Sequence, residues 1–394
     1  MQDDIVILAA RRTPIGALMG RLAEVPAPQL GASAIRAALD DSRAPAEAVD
    51  EVLMGCCLMA GLGQAPARQA LLGAGLPASV PATTLTKMCG SGMKAVMLAH
   101  DALCAGNGTL YVAGGMESMS RAPHLLPTAR RGQRFGHGVT LDHMLRDGLE
   151  DAYDGQLMGV HAERMAREAG LTRDDLDAVA LRSVRLARDA VQRGLFADEI
   201  VPVLLPGSST TDLALQEDET PATCQPEKVP RLRPAFAPDG VITAASSASI
   251  SDGAAALVVS TASRAATAGW PMMARIVAHA TVAGEPGRFA EAPVYAIRKV
   301  LQRADWQVSD VDLFEVNEAF AVVPLLVQRA LGIPEEHLNV RGSACALGHP
   351  IGATGARILV TLLHALRQRD QRRGVASLCI GGGEATAMAI ERLD

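Results

Sequence analysis

The first and last thirds of this chain present the same order of elements: a glycine-rich loop, a long helix, an apolar strand and a glycine cluster. In the first third the helix is predicted at residues 92–105 and the strand at 110–113, ending at the glycine pair 114–115. In the last third the helix is predicted at 355–367 and the strand at 376–380, again followed by glycines. The parallel indicates an internal duplication whose two copies pack face to face.

Short apolar runs alternate with amphipathic stretches in both thirds. Further strands are predicted at 5–10, 49–54 and 311–316, and further helices at 29–40 and 294–303. Such alternation is typical of α/β layers with buried strands. Aromatic residues make up only 3% of the chain, so the core consists mainly of small aliphatic side chains that let helices and sheets approach closely. We therefore predict an α/β fold.

The middle of the chain has a different character. Residues 120–244 carry charge clusters, prolines and polar loops, with one clear helix predicted at 174–194, where apolar residues recur at helical spacing. A segment of this kind between two α/β halves is typical of a cap that binds the non-reacting part of a ligand. The predicted domains are an N-terminal half at 1–119, completed by about 245–272, this cap, and a C-terminal half at 273–394.

Composition and charge exclude several classes of protein. The 394 residues carry a net charge of −6 and no stripe of Lys or Arg, which argues against binding to nucleic acid. The seven cysteines are irregularly spaced without a CxxC pair, so neither a disulfide framework nor a zinc site is predicted. The sequence has no signal-peptide pattern and no apolar run of about 18 residues. We therefore expect a cytoplasmic protein that binds no membrane.

Cys89 lies in the sequence Lys-Met-Cys-Gly-Ser-Gly-Met-Lys, directly before a predicted helix. Backbone N–H groups and the dipole at a helix N-terminus stabilise a thiolate, and the glycines allow a substrate carbonyl to come close to the backbone. A buried structural cysteine is the alternative interpretation. The local sequence alone leaves both open.

Other polar residues occupy positions typical of a site. His349 lies between Gly and Pro before a glycine-rich helix start, and histidine is the natural base for a cysteine nucleophile, although a histidine satisfied in the core is the alternative. Cys379 ends an apolar strand beside three glycines, while Asn317 and Glu318 follow another strand, where clefts form. Two thiols, an imidazole and an amide suit acyl transfer, but spacing alone does not show that they meet.

Five motifs, in this order, resemble those of the thiolases. They are Lys-Met-Cys-Gly-Ser-Gly-Met-Lys-Ala-Val at 87–96, Gly-Gly-Met-Glu-Ser-Met-Ser at 114–120, Asn-Glu-Ala-Phe at 317–320, Ala-Leu-Gly-His-Pro-Ile-Gly-Ala at 346–353 and Cys-Ile-Gly-Gly-Gly at 379–383. The resemblance covers essentially the whole chain. It implies the thiolase fold, in which two duplicated α/β halves form five layers, αβαβα, with an inserted loop domain.

The resemblance also implies a chemistry. Cys89 would be acylated, His349 would activate it, and Cys379 would remove or return the α-proton of a second acyl-CoA. One oxyanion hole would comprise His349 and, through a water, Asn317, and the other the N–H groups of Cys89 and Gly381. The implied substrates are acetyl-CoA, acetoacetyl-CoA and CoA, with no tightly bound cofactor and no metal.

Within the family, residues 131–159 resemble the short-chain biosynthetic type with a tetramerisation loop, which implies a homotetramer. Nine residues would contact coenzyme A or line the acyl tunnel, with ordinary core as the alternative for the apolar ones: Leu149, Met158, Phe236, Ala244, Ser247, Ala248, Ala319, Phe320 and Ile351.

Three ligand-facing positions depart from the family pattern. Ala248 stands where a serine usually contacts the pantetheine, with Ser247 or Ser249 as the nearest substitutes. Leu157 replaces a loop-domain histidine, and Pro221 replaces an arginine that faces the ligand in some members. These departures concern affinity for coenzyme A rather than the acyl chemistry.

The leading hypothesis is an acetyl-CoA C-acetyltransferase that forms or cleaves acetoacetyl-CoA through an acyl-Cys89 intermediate. The nearest alternative is a degradative 3-ketoacyl-CoA thiolase of broader chain length. A third hypothesis is a non-catalytic acyl-CoA-binding or scaffold protein with the same fold, motivated by Ala248. A decarboxylating ketosynthase would use a histidine in place of Cys379, and a cysteine hydrolase would leave Cys379 without a role.

Overall fold

The computed structural model describes residues 3–205 and 214–393. The strands are β1 (Ile5–Arg12), β2 (Gly16–Ala17), β3 (Glu51–Gly55), β4 (Ala82–Leu85), β5 (Leu110–Ser118), β6 (His124–Leu125), β7 (Leu141–Asp142), β8 (Val203–Leu204), β9 (Ala214–Leu215), β10 (Ser251–Thr261), β11 (Ala274–Ala283), β12 (Leu313–Val316), β13 (Arg373–Ile380) and β14 (Glu384–Arg392). The α-helices are α1 (Ala27–Ser42), α2 (Pro66–Gly73), α3 (Ser91–Cys104), α4 (Met158–Glu168), α5 (Arg173–Gln192), α6 (Glu219–Thr223), α7 (Ala262–Ala268), α8 (Ala292–Ala304), α9 (Val322–Leu331), α10 (Ala344–Leu347) and α11 (Ile351–Gln368).

The strands of the two halves repeat the same directions. Within the described ranges, ten strands form one sheet in the order β12-β13-β14-β11-β1-β10-β5-β3-β4, with β2 beside β10. In the N-terminal half β3 runs parallel to β5, and β5 runs antiparallel to β10. In the C-terminal half β12 runs parallel to β13, and β13 runs antiparallel to β14. The duplication inferred from the order of elements therefore reappears in the sheet.

The two halves of this sheet face each other, and the helices form three layers, one between the halves and one outside each of them. α1 and α2 pack on the outer face of the N-terminal half, and α8 and α9 on the outer face of the C-terminal half. α3 and α11 lie between the halves and share one core with strands of both. Alternate residues of a strand face opposite sides, so Val6 and Leu8 of β1 belong to the outer core and Ile5 and Ile7 to the central one. The order αβαβα predicted from the resemblance is confirmed.

Glycines bring the two central helices into backbone contact. A Cβ atom on Gly92 of α3 would lie 2.8 Å from the backbone N of Ala356, and one on Gly355 of α11 would lie 2.5 Å from the backbone N of Met93. Neither position tolerates a side chain without separating the helices. The N-terminal turns of α3 and α11 therefore meet in the middle of the molecule.

Strand β5 corrects one prediction. The expected end of the strand at residue 113 is wrong, since β5 continues through both glycines to Ser118. A Cβ on Gly114 would collide with the carbonyl of Ala255 in β10, and one on Gly115 would collide with the carbonyl of Gly352 in α11. These glycines permit close packing inside a strand rather than ending it.

The cap is attached to the N-terminal half through buried charges. Arg12 of β1 donates to both carboxylate oxygens of Asp218, at 2.7 and 2.9 Å, and to Glu199 at 2.6 Å. All three side chains are fully buried in these ion pairs.

The cap helix predicted at 174–194 is α5, whereas α4 was not predicted. Among the described helices, none has both the length and the apolarity needed to cross a membrane.

Candidate active site

Cys89 lies in a tight turn between β4 and α3. Met88, immediately before it, has a φ of 46°, a left-handed conformation that costs free energy in a residue with a side chain. Gly90, immediately after it, faces Ile380, and a Cβ there would collide with the Ile380 side chain. The turn thus holds Cys89 against the end of β13.

The Cys89 sulfur has two backbone partners. The N–H groups of Gly381 and of Cys89 itself hydrogen-bond to it and favour the thiolate, but burial outweighs them and raises the pKa of Cys89 to about 11. The free protein therefore holds Cys89 as a thiol, and acylation requires a base. The same two N–H groups are those that the resemblance assigned to an oxyanion hole.

His349 is the residue that the resemblance implies as that base. Its Nδ1 lies 2.7 Å from Oγ1 of Thr354, and this hydroxyl donates to the carbonyl of Pro350 at 2.9 Å. Because the hydroxyl proton is engaged there, Thr354 accepts from Nδ1–H, and Nε2 keeps its lone pair. Nε2 is buried and has no partner among the described residues. Burial, together with the charge of Arg357, lowers the pKa of His349 to about 3, so the imidazole is neutral.

Asn317 presents a free amide N–H to the same interior. Its Oδ1 accepts from Nη2 of Arg357 at 3.3 Å, and Arg357 is itself held by Glu315 at 3.1 Å. Since Oδ1 faces Arg357, the amide nitrogen Nδ2 of Asn317 points away from it. Nδ2 is buried without a partner among the described residues. Buried donors of this kind are what an oxyanion hole requires.

Cys379 lies at the end of β13, where only 1% of it is exposed. Burial raises the pKa of its thiol well above the ordinary range, and the negative charge of a Cys89 thiolate raises it further. The turn that carries Cys89 packs on this end of β13, because a Cβ on Gly90 would collide with Ile380, the residue after Cys379. The structure therefore brings together two thiols that lie on different halves of the chain.

Glu318 has a different role from its neighbour Asn317. Its carboxylate accepts from Ser183 at 2.7 Å, from Asn339 at 2.9 Å and from the backbone N–H of Cys345 at 3.2 Å. Ser183 belongs to α5, so Glu318 anchors the cap to the C-terminal half.

The sequence analysis did not identify Glu117, whose side chain holds the backbone around the site in place. This buried carboxylate accepts backbone N–H bonds from Cys57 at 3.0 Å, Leu58 at 3.1 Å and Gly352 at 2.8 Å. It therefore fixes the first turn of α11, two residues after His349. The available signal was an acidic residue inside an otherwise apolar strand, where an ionised group needs partners.

Six of the nine predicted tunnel residues share apolar surroundings with one of the two thiols. Leu149 and Ile351 pack in the same cluster as Cys89. The others belong to the core that contains Cys379: Met158, Phe236, Ala319 and Phe320. The rings of Phe236 and Phe320 meet edge to face, with centroids 5.8 Å apart. Their contacts with a ligand stay predictions.

The other three predicted tunnel residues, Ala244, Ser247 and Ala248, lie at or beside a cleft of about 320 Å³ between α5, α6 and the loop before β10. Its wall includes Ala244, Ser247, Ser249 and Lys228. Ala248 donates its backbone N–H to Ala319 at 3.0 Å, which connects this loop to the Cys379 side. The Ser247 hydroxyl donates to the carbonyl of Thr243 at 2.8 Å but keeps acceptor lone pairs. Ser247 and Ser249 therefore offer hydroxyls where Ala248 offers none.

A guanidinium lies behind the same wall. Arg188 of α5 donates to the carbonyls of Pro221 and Cys224, and Cys224 lines the cleft. Arg188 therefore places a positive charge beside Pro221, the position at which the resemblance implies an arginine in some members of the family.

The two shifted pKa values predict a nearly flat pH dependence for acylation. His349 gains a proton only as the pH falls towards about 3, and Cys89 loses one only as the pH rises towards about 11. The rate of acetylation of Cys89 by acetyl-CoA should therefore change by less than about threefold between about pH 5 and about pH 9. Rapid-quench measurement of acetyl-enzyme formation checks this. A bell-shaped profile centred near neutral pH would contradict it.

Comparison with known proteins identifies the family. The model of the thiolase N-terminal domain matches residues 5–263, and that of the thiolase C-terminal domain matches residues 270–392. An acetyl-CoA acetyltransferase of Pseudomonas aeruginosa is 46% identical over 391 residues, which cover 99% of this chain and 100% of that protein.

Two solved structures agree with this result. The crystal structure of the Bacillus anthracis acetyl-CoA acetyltransferase has a TM-score of 0.96 and 39% identity, covering 100% of this chain and 99% of that one. Acat5 thiolase from Ascaris suum, in complex with coenzyme A, has a TM-score of 0.93 and 40% identity, covering 99% of this chain and 100% of that one. Matched along nearly its whole length by both thiolase domain models and by these relatives, the chain belongs to the thiolase family.

Proposed function

We propose that this thiolase is an acetyl-CoA C-acetyltransferase, which joins two acetyl-CoA molecules into acetoacetyl-CoA and CoA or runs the reverse thiolysis. The observation that carries the proposal is the packing of the Cys89 turn on the end of β13, which brings Cys89 to the strand end that carries Cys379 and Gly381. The similarity to acetyl-CoA acetyltransferases over full length supports acetyl as the acyl group.

The first half-reaction transfers the acyl group to the protein. Nε2 of His349 takes the proton of Cys89 as the sulfur attacks the thioester carbonyl. The oxyanion that forms accepts from the N–H groups of Cys89 and Gly381. When the tetrahedral intermediate collapses, the C–S bond to coenzyme A breaks and the leaving thiolate receives the proton from His349.

The second half-reaction forms the carbon–carbon bond. Nε2 of His349, free again once coenzyme A has left, takes the proton of Cys379, and the Cys379 thiolate removes an α-proton from a second acetyl-CoA. The enolate oxygen accepts hydrogen bonds from Nε2–H of His349 and from the Asn317 amide. The α-carbon attacks the acetyl carbonyl on Cys89, and the Cys89 sulfur leaves as a thiolate that takes the proton from His349. Burial keeps Cys379 a thiol in the free protein, so it needs this transfer to His349 before it can act as the base.

The direct test is an assay of the purified protein with acetoacetyl-CoA and free CoA. We expect disappearance of acetoacetyl-CoA and formation of two acetyl-CoA. Tight binding of coenzyme A without turnover would instead favour the non-catalytic scaffold.

Chain length should separate this function from that of a degradative 3-ketoacyl-CoA thiolase. Leu149 and Ile351 pack with Cys89, and forcing two extra methylenes against such a wall costs about 1 to 3 kcal/mol. We therefore expect kcat/KM to fall about tenfold or more from acetoacetyl-CoA to 3-ketohexanoyl-CoA. Leu149→Ala should reduce that ratio by enlarging the pocket. An equal kcat/KM for both substrates would favour the degradative type.

We also propose a homotetramer in the cytoplasm. Four large apolar side chains of the segment 126–153 are more than half exposed, which marks a surface for association: Leu126, Phe135, Val139 and Tyr153. The proposed location rests on the irregular spacing of the seven cysteines, which indicates no disulfide framework and suits a reducing compartment. Multi-angle light scattering tests the number of chains, and cell fractionation tests the location.

A further inference from the structure

A group of metal-binding side chain types lies where α3 of the N-terminal half meets β11 of the C-terminal half. Nε2 of His279 on β11 lies 2.8 Å from Oδ1 of Asp101 on α3, and Nδ1 of His100 lies 3.3 Å from the same oxygen. The two imidazole rings meet edge to face with their centroids 4.9 Å apart. Ligand atoms of all three residues lie within 4.8 Å of one another.

A fourth donor lies one helical turn further along α3. The Cys104 sulfur is 3.9 Å from Nδ1 of His100, in the i, i+4 relation that places two side chains on one helix face. Four ligand atoms in a tetrahedron around zinc lie roughly 3.3 to 3.7 Å apart, given Zn–N, Zn–O and Zn–S distances. The pairs in contact, at 2.8, 3.3 and 3.9 Å, fall around these values, and the Cys104 side chain has to rotate towards Asp101 and His279 to complete the tetrahedron.

The geometry points to a structural Zn²⁺ site formed by His100, Asp101, Cys104 and His279, and we propose it as such. Two imidazoles, a carboxylate and a thiolate are a donor set that suits zinc rather than magnesium or calcium. Binding would require each imidazole to carry its proton on the ring nitrogen that faces away from the ion, and it would release the proton of the thiol to water.

The surroundings support such a site. About half of the Asp101 side chain is exposed, whereas both imidazoles are largely covered, so an ion can enter while the rings stay in place.

A cation here would join the two halves without taking part in the chemistry. His100 lies about eleven residues beyond Cys89, which is roughly 16 Å along α3. The helix that carries Cys89 at its N-terminus would be fixed to the half that carries Cys379 and His349. We therefore expect an effect of zinc on stability rather than on the reacting groups.

The test uses the full chain with both catalytic thiols replaced, Cys89→Ala with Cys379→Ala, so that neither competes for metal. Titration with Zn²⁺ against a competing chelator should give one ion per chain, and the Tm should rise with free zinc. His279→Ala should weaken binding by about 100-fold or more, while His124→Ala, at an exposed histidine on β6, should bind as the parent does. With Co²⁺ as a spectroscopic probe, thiolate-to-metal charge-transfer absorption should disappear in Cys104→Ser.

Three results would overturn the proposal. The first is no zinc binding by the parent, and the second is unchanged binding in His279→Ala. The third is binding that disappears instead in His161→Ala, which removes a second group formed with Asp151 and Asp154. If His279→Ala does not fold, His279→Gln, which keeps an amide donor towards Asp101, is measured in its place.

Discussion

Cys89→Ala should lower thiolysis of acetoacetyl-CoA by at least about 10,000-fold, the scale of loss when a covalent nucleophile is removed. In the proposed mechanism no other side chain replaces the Cys89 thiol, because the acyl group must be placed where the N–H groups of Gly381 and Cys89 stabilise its oxyanion. The alanine variant keeps the backbone of the turn and both N–H groups. The measurement is kcat/KM for thiolysis, with intact-mass analysis after exposure to acetyl-CoA.

The matched control is Cys57→Ala, which removes a thiol from the same apolar cluster. The Cys57 sulfur is directed at the carbonyl of Met88 and the hydroxyl of Ser91, at 3.2 and 3.3 Å, and not at the acyl position. We expect this variant to accept one acetyl group, as the parent does, and to retain turnover within about tenfold. Thiolysis or acetylation by Cys89→Ala would refute the assignment of the nucleophile.

Local sequence patterns predicted the elements that carry the site. The helix expected at 92–105 is Ser91–Cys104, and the strand expected at 376–380 lies within Arg373–Ile380. Both follow from apolar periodicity and flanking glycines, which act within a few residues. The same rule predicted the wrong end for β5, because Gly114 does not end the strand but packs against Ala255, which is distant in the sequence.

Arrangements that depend on distant residues were not predictable from one sequence. The base role of Nε2 of His349 depends on the hydroxyl of Thr354 and on burial by both halves. Glu117 binds Gly352, which lies 235 positions further along the chain, and Asp101 meets His279 across 178 positions. Cysteine spacing predicts zinc sites only when their ligands are close in sequence, so the group on α3 and β11 gave no signal.

The two half-reactions make Cys379→Ala a sharper test of mechanism than loss of activity alone. Cys379 lies at the end of β13 and has no place in the attack of Cys89 on a thioester, so the variant should still become acetylated by acetyl-CoA at a rate within about tenfold of the parent. Overall thiolysis should fall about 1,000-fold, because the α-carbon loses its proton donor and acceptor. Exchange of the α-protons of acetyl-CoA with deuterated water should fall equally.

His349→Asn provides the contrast, because in the proposed mechanism His349 both activates Cys89 and contributes to the enolate oxyanion hole. Its neutral imidazole, with Nε2 free and Nδ1 bonded to Thr354, has no equivalent in the amide. Both acetylation and thiolysis should therefore fall by about 100-fold or more in that variant. Equal loss of acetylation and thiolysis in Cys379→Ala would show that Cys379 also acts on Cys89, and the division of labour between the two thiols would then be wrong.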